Sequence, residues 1–175
     1  MKLIKVIWFY ALGPALLAHG PINSKNNSKN CKMELIIKDL ETKNSMLETH
    51  FLVQQMYRNL DYKAFELAID EMIMRNDYKM VAGFYDNQMI AVSGFWISRM
   101  LYCGKYLQVS NLVVDGDKRN FGVGKKILNY LENKARKLGC DKIVLDSYTE
   151  NKKSHSLYYG EDFYIRGFHF MKDLT

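Results

Sequence analysis

The sequence has few cysteines and no arrangement of them that would hold a metal or a disulfide framework. Its three, Cys31, Cys103 and Cys140, are odd in number and far apart, with no C-x-x-C pair and no Cys/His cluster. That argues against a structural zinc site and for reduced thiols in a reducing compartment. No internal repeat is visible. The low-hydropathy composition of a disordered chain is also missing: 48% of the 175 residues are hydrophobic and 13% aromatic, enough for one domain with a real core. What is in excess is positive charge. The net +6 suits an anionic ligand, whether nucleic acid, an acidic membrane surface or a phosphorylated cofactor. The basic residues are not gathered on any single face, which speaks against a dedicated nucleic-acid patch.

The first 32 residues stand apart. In "MKLIKVIWFYALGPALLAHG", Lys2 and Lys5 precede an apolar run from Val6 to Ala18, the layout of a secretory signal and too short for a firm membrane span. The polar spacer "NSKNNSKN", Asn23 to Asn30, reads as a flexible linker. Three readings stay open: a signal or membrane anchor, a loosely attached extra helix, or translated sequence ahead of a true start at Met33. The division expected is therefore residues 1–32 as an N-terminal segment and residues 33–175 as the functional domain.

Within that domain, Met33 to Asp39 predicts a first strand. Glu41 to Arg58 and Tyr62 to Arg75 predict two helices, with Leu47, Phe51, Gln54 and Tyr57 on one face of the first, and Phe65, Ala68, Ile69 and Met72 on one face of the second. Lys79 to Tyr85 and Met89 to Leu101 read as the arms of a hairpin turning at Asp86 and Asn87, followed by a strand from Tyr106 to Val114. The period then lengthens. Val123, Ile127, Leu128, Leu131, Ala135 and Leu138 form a helical stripe over Gly122 to Leu138, with Gly139 as its stop. "DKIVLDS" reads as a buried strand, Asn151 to Tyr159 as a short helix, and Phe163 to Leu174 as one or two terminal strands. The class expected is mixed α/β: a mostly antiparallel sheet with flanking helices and a parallel strand pair around the long helix.

The stretch "DKRNFGVGKK", Asp117 to Lys126, carries two glycines at a strand-to-helix junction. It is not a P-loop: Arg119 stands where the first glycine would be, and Lys126 where Ser or Thr would be. Nor is it a dinucleotide fingerprint, since Ile127 occupies the third glycine position. The physical reading that survives is a helix N-terminus whose backbone N–H groups, from Asn120 to Lys125, converge on an anion. Gly122 and Gly124 would let a pyrophosphate approach, and Arg119 and Lys125 would add charge at the rim. An ordinary glycine-bearing helix start fits the stretch alone as well.

Arg119-Asn120-Phe121-Gly122-Val123-Gly124 resembles the [RQ]-x-x-G-x-[GA] signature of the GNAT acetyltransferase superfamily. The downstream segment resembles that family's N-x-x-A-x-x-x-Y run: Asn151 and Tyr158 stand seven apart, Ser154 replaces the common Ala, and Phe163 holds the final aromatic. The usual Gly before that aromatic is Asp162, with Gly160 two residues earlier. The resemblance covers about Met33 to Leu174, and its sheet carries a splay between the two parallel strands. "KKSHSLYYGEDFYIRGFHFMKDL" is also similar to members that acetylate small amines.

The resemblance implies acetyl-CoA as cosubstrate, with no metal. Its pyrophosphate would meet the backbone from Arg119 through Asn120, Phe121, Gly122, Val123 and Gly124 to Lys125. Its pantetheine arm would pair with Leu112, Val113 and Val114 as an added strand and meet Asn151. For Asn151 a plain helix cap is the rival. The backbone N–H near Val114 would donate to the oxyanion. Tyr158 would be the general acid, its phenol (ordinary pKa about 10) protonating a thiolate of pKa about 8.5; a buried structural tyrosine is the rival. Tyr159 lies about 100° around the helix and is the poorer candidate. No carboxylate stands at Gln108-Val109-Ser110-Asn111, so the general base is open among water, Asp146, Glu150 and His155. An acceptor pocket would be walled by Met46 to Tyr57 and Phe95 to Arg99, with Tyr57, Trp96 and Arg99 as contacts.

The function implied is transfer of an acetyl group to a primary amine, of a small molecule in preference to a protein N-terminus or lysine. Such an enzyme would be cytoplasmic, without nucleic acid, off the membrane unless residues 1–20 persist as an anchor, and compatible with a homodimer. The rival classes are a CoA sensor without turnover and a basic nucleic-acid-binding module.

Overall fold

The computed structural model describes residues 34–74 and 78–174; the readings of residues 1–32 lie outside them. Five strands form one sheet in the order β1-β2-β3-β4-β5. They are β1 (Ile36–Leu40), β2 (Lys79–Tyr85), β3 (Gln88–Met100), β4 (Gly104–Val114) and β5 (Lys142–Leu145). The first four pair antiparallel and β4 pairs β5 parallel. This is the mixed, mostly antiparallel sheet expected.

The β2–β3 hairpin turns where the sequence marks it. Asp86 and Asn87 have φ of 46° and 63°, the left-handed pair that matches strand twist in a two-residue turn, and both residue types tolerate it. The long helix also forms as its stripe dictates. It runs over Val123–Lys137, burying Val123, Ile127, Leu128, Leu131 and Ala135 on β3 and β4 residues such as Phe95, Leu107 and Val109. Each of the four larger ones contributes roughly 1.5–3 kcal/mol of transfer free energy, an upper figure because unfolded chains already bury some surface. Gly139 (φ +68°) stops the helix, and Leu138 is left half exposed as its C-cap.

Three expectations are corrected. The single helix over Glu41–Arg58 is two short ones, α1 (Lys43–Leu47) and α2 (His50–Val53). Thr42 and Ser45 make a reciprocal capping box, and the buried Thr49 hydroxyl donates back to the Met46 carbonyl at 2.7 Å. That side-chain bond competes with the helical ladder and divides the segment. The buried set is accordingly Met46, Leu47, Leu52 and Val53, while of the expected face Phe51 is exposed and Tyr57 only partly covered. The next helix, α3, spans Tyr62–Met74 and buries Phe65 and Ile69 as expected. We number the long helix α4 and the last one α5 (Lys152–Gly160).

The second correction is at β5. The strand is four residues long and its pairing with β4 stops at Val109 and Leu145, so Asp146 and Ser147 leave the sheet. The third concerns residues 163–174, which carry no strand. Apolar and aromatic residues need a hydrogen-bonding edge to become a strand, and among the described residues none pairs with this segment. Phe168, Phe170 and Met171 are exposed instead.

Candidate active site

The site forms where β4 and β5 part. At Asn111 the β3–β4 register shifts between Val92 and Gly94, and Asn111 takes φ +50°, a left-handed value that asparagine tolerates. Beyond the bulge, Asp115 N–H donates to the Ile90 carbonyl at 2.8 Å. By the alternation of an antiparallel ladder, Val113 faces β3 and the N–H groups of Leu112 and Val114 point away from it. Among the described residues no strand meets them on that side, because β5 has already diverged.

The chain then runs through a short 3-10 turn into α4. Gly122 is the N-cap at φ +73°, no side chain caps the helix, and the first intrahelical bond runs from Lys126 N–H to Gly122 O at 3.1 Å. The N–H groups of Gly122, Val123, Gly124 and Lys125 therefore have no helical acceptor, and no acidic residue stands in the first turn. Asn120 is also left-handed, at φ +68°. Arg119 folds back, its Nε donating to the Val114 carbonyl at 3.1 Å, which ties loop and strand end together. Phe121 is exposed and Val123 is in the core, so each offers the loop its backbone.

Two details differ from the sequence reading. A Cβ on Gly124 would lie 3.1 Å from a Leu157 methyl, so this glycine lets α5 approach α4; only Gly122 has open space around it. Lys125 is not a free rim charge, because its Nζ pairs with Glu161 at 2.5 Å.

On α5, Asn151 is the N-cap, its Oδ1 accepting from Ser154 N–H at 3.4 Å, which leaves its amide hydrogens for other partners. Tyr158 packs in the α4 cluster against Phe163, ring centroids 6.0 Å apart. Burial raises the Tyr158 pKa, and a hydrogen bond with the Ser154 hydroxyl works in the opposite sense. Tyr159 is exposed. Among the candidate bases, His155 Nε2 is engaged with the Tyr148 carbonyl at 2.9 Å and Asp146 accepts from Gln108 Nε2 at 3.1 Å. Glu150 lies next to Thr149, whose hydroxyl donates to it at 3.2 Å.

The opposite sheet face holds a cavity of about 270 Å³ against the bulge, bounded by Val53, Leu60, Phe65, Ala68 and Met72 and closed by Tyr57, Tyr78 and Asn111. Tyr57 Oη donates to Asn111 Oδ1 at 2.8 Å. Burial pushes the Tyr78 phenol up to about 12, partly countered by its hydrogen bond with Asn111. Burial also raises Tyr57, and Tyr148 adds to this. Of the expected contacts only Tyr57 lines the cavity. Trp96 packs on the core and Arg99 is exposed elsewhere on β3. Tyr78 and Asn111, which no sequence pattern names as contacts, line the cavity beside Tyr57.

A family model described as Acetyltransferase (GNAT) family matches residues 44–160, well over half of the chain. The chain belongs to the GNAT acetyltransferase family. It is similar to the uncharacterized N-acetyltransferase YhdJ of Bacillus subtilis, 24% identical over 122 residues, 70% of this chain and 86% of that protein. Among solved GNAT structures, glucosamine-6-phosphate N-acetyltransferase from Arabidopsis thaliana superposes with a TM-score of 0.63 at 21% identity, covering 81% of this chain and 99% of that one. Aminoglycoside N-acetyltransferase AAC(6')-Iy in complex with CoA gives 0.68 at 16%, covering 82% and 97%. Ribosomal-protein-alanine N-acetyltransferase from Brucella melitensis gives 0.69 at 15%, covering 81% and 100%. One fold thus carries a sugar phosphate, an aminoglycoside and a protein as named acceptors, so the GNAT fold does not fix this one. No helix among the described residues is long and apolar enough to cross a membrane.

Proposed function

We propose that this GNAT protein is an acetyl-CoA-dependent N-acetyltransferase acting on a primary amine of a small molecule. The observation that carries the reading is a coincidence of two open backbone surfaces. The uncapped first turn of α4 adjoins a strand edge whose Leu112 and Val114 N–H groups point into the β4–β5 splay. A pyrophosphate suits the first, at the positive end of the helix dipole, and an extended amide-bearing arm suits the second. The residues fit the donor: Arg119 to Lys125 hold its phosphates, Leu112 to Val114 its arm, and the Asn151 amide group adds a donor beside it.

Acetyl-CoA supplies an acetyl group activated as a thioester. Of the outward N–H groups near Val114, one is left by the arm to donate to the oxygen that gains charge as the amine attacks. Tyr158, with its pKa raised by burial, stays protonated at neutral pH and gives its proton to the departing sulfur. In balance, a C–N bond forms, the C–S bond breaks, the thiol gains the Tyr158 proton, the surplus proton on nitrogen leaves to water, and water returns a proton to Tyr158. Two of the side chains considered as a base, His155 and Asp146, are held in structural hydrogen bonds, which favours water in that role. The donor suits the cytoplasm as the place of reaction.

Thiol release from acetyl-CoA over a panel of amines tests this. Amine-dependent release is the expected result, and binding of acetyl-CoA without release from any amine would leave a CoA-binding protein instead.

A further inference from the structure

We propose that the cavity under α2 and α3 is the acceptor pocket, and that its ligand is a primary amine on a compact, uncharged, apolar body, alkyl or aryl. This rests on the acetyltransferase reading and narrows it to a substrate class.

Position is the first argument. Asn111 forms one end of the cavity and is also the bulge residue of β4, two residues past Val109, where pairing with β5 stops. A ligand whose body fills the cavity therefore has its polar end at the mouth of the splay, on the sheet face opposite α4. Donor and acceptor would then approach the bulge from opposite faces.

Chemistry is the second. Among the described residues the lining has no Asp, Glu, Lys, Arg or His. A phosphate or a polycation entering it would shed water and find no counter-charge, whereas an alkyl or aryl group gains by burial. The polar end is Tyr57–Asn111–Tyr78, a neutral cluster in which burial disfavours the charged form of both phenols. Neutral hydroxyl oxygens there can accept from an N–H group. An uncharged pocket also favours the unprotonated amine, the form with the lone pair needed for attack. That agrees with the missing carboxylate at Gln108 to Asn111.

Size is the third. About 270 Å³, just below the roughly 300–1,000 Å³ of sites that take drug-sized ligands, has room for an alkyl chain or a single ring, and a multi-ring aminoglycoside would lie mostly outside it.

The test uses the full chain at saturating acetyl-CoA, with hexylamine and 2-phenylethylamine set against glucosamine 6-phosphate, kanamycin and an alanyl peptide. The apolar amines are expected to show kcat/KM about tenfold or more above the others. Ala68→Phe, which fills the cavity from α3, should lower their kcat/KM by a similar factor and leave the KM for acetyl-CoA unchanged. Turnover of the charged amines in preference to the apolar ones overturns the proposal and leaves the acetyltransferase reading standing. If no amine releases thiol, that reading fails, and calorimetry of 2-phenylethylamine decides the cavity separately. Saturable binding lost in Ala68→Phe supports the pocket, and no binding overturns it. An Ala68→Phe protein that is more stable with unaltered amine kinetics identifies a core void and also overturns it.

Discussion

The two faces of the β4 bulge are made of different material. On the α4 face the candidate donor site is almost entirely backbone: the open first turn of α4 at Gly122 to Lys125 and the outward N–H groups of Leu112 and Val114. On the α2–α3 face the candidate acceptor site is almost entirely side chains, with Phe65, Ala68, Met72 and Tyr78 around an apolar space. Backbone recognition reads features every donor of one kind shares and constrains only a few positions. Side-chain recognition can be rewritten residue by residue, which agrees with the different acceptors named for proteins of this fold.

The largest expected effect breaks the site at its chemistry. Tyr158→Phe should lower kcat by roughly 10²–10⁴-fold and leave acetyl-CoA affinity nearly unchanged, measured by thiol release and calorimetry. An unaltered rate would remove Tyr158 from the acid role.

The acceptor face has its own signature in alkali. Tyr78 is raised from its ordinary value to about 12 in the fold, so the folded state holds this proton more tightly than the unfolded state. Its contribution is fully present below about pH 10 and is lost as pH rises toward 12, on the order of 2–3 kcal/mol in all. Denaturant titrations from pH 9 to 12 should show stability falling less steeply for Tyr78→Phe than for the parent. Parallel curves would mean that Tyr78 titrates as an ordinary surface phenol.

The donor face is broken at Gly122. Valine there must hold φ near +73°, at a cost of about 1–2 kcal/mol, although nothing crowds its Cβ. Gly122→Val is expected to weaken acetyl-CoA about tenfold or more while sparing the alkaline behaviour of Tyr78. A variant with equal acetyl-CoA affinity would show that the loop does not need this conformation. The smallest effect sharpens the contrast. Lys125→Ala removes a partly exposed ion pair with Glu161 and should change acetyl-CoA affinity by about fivefold or less, since the backbone carries the phosphates.

The same contrast explains what was legible in the sequence. Most of the candidate donor face lies within one contiguous run, Leu112 to Lys125, which the glycine pattern and the family resemblance single out together, whereas the α4 stripe and the Asp86–Asn87 turn are legible from local pattern alone. The acceptor face draws on segments near Val53, Ala68, Tyr78 and Asn111, and no local pattern reveals that tertiary folding brings them together. Asn111 and Tyr78 were missed for that reason. Arg99, expected as a contact, lies on β3 away from this cavity. The helix over Glu41–Arg58 failed for a subtler cause: Thr49 satisfies the Met46 carbonyl with its own hydroxyl, a choice that hydrophobic periodicity does not register. At the other end, the apolar and aromatic content of residues 163–174 predicts strands, yet composition supplies no partner edge.

The most direct test of the account is titration of acetyl-CoA into the full chain, followed by heat and by thermal unfolding, with ATP and NAD as controls. Saturable binding and a stabilisation specific to acetyl-CoA are predicted. No shift at millimolar acetyl-CoA, or an equal one from ATP, would contradict it.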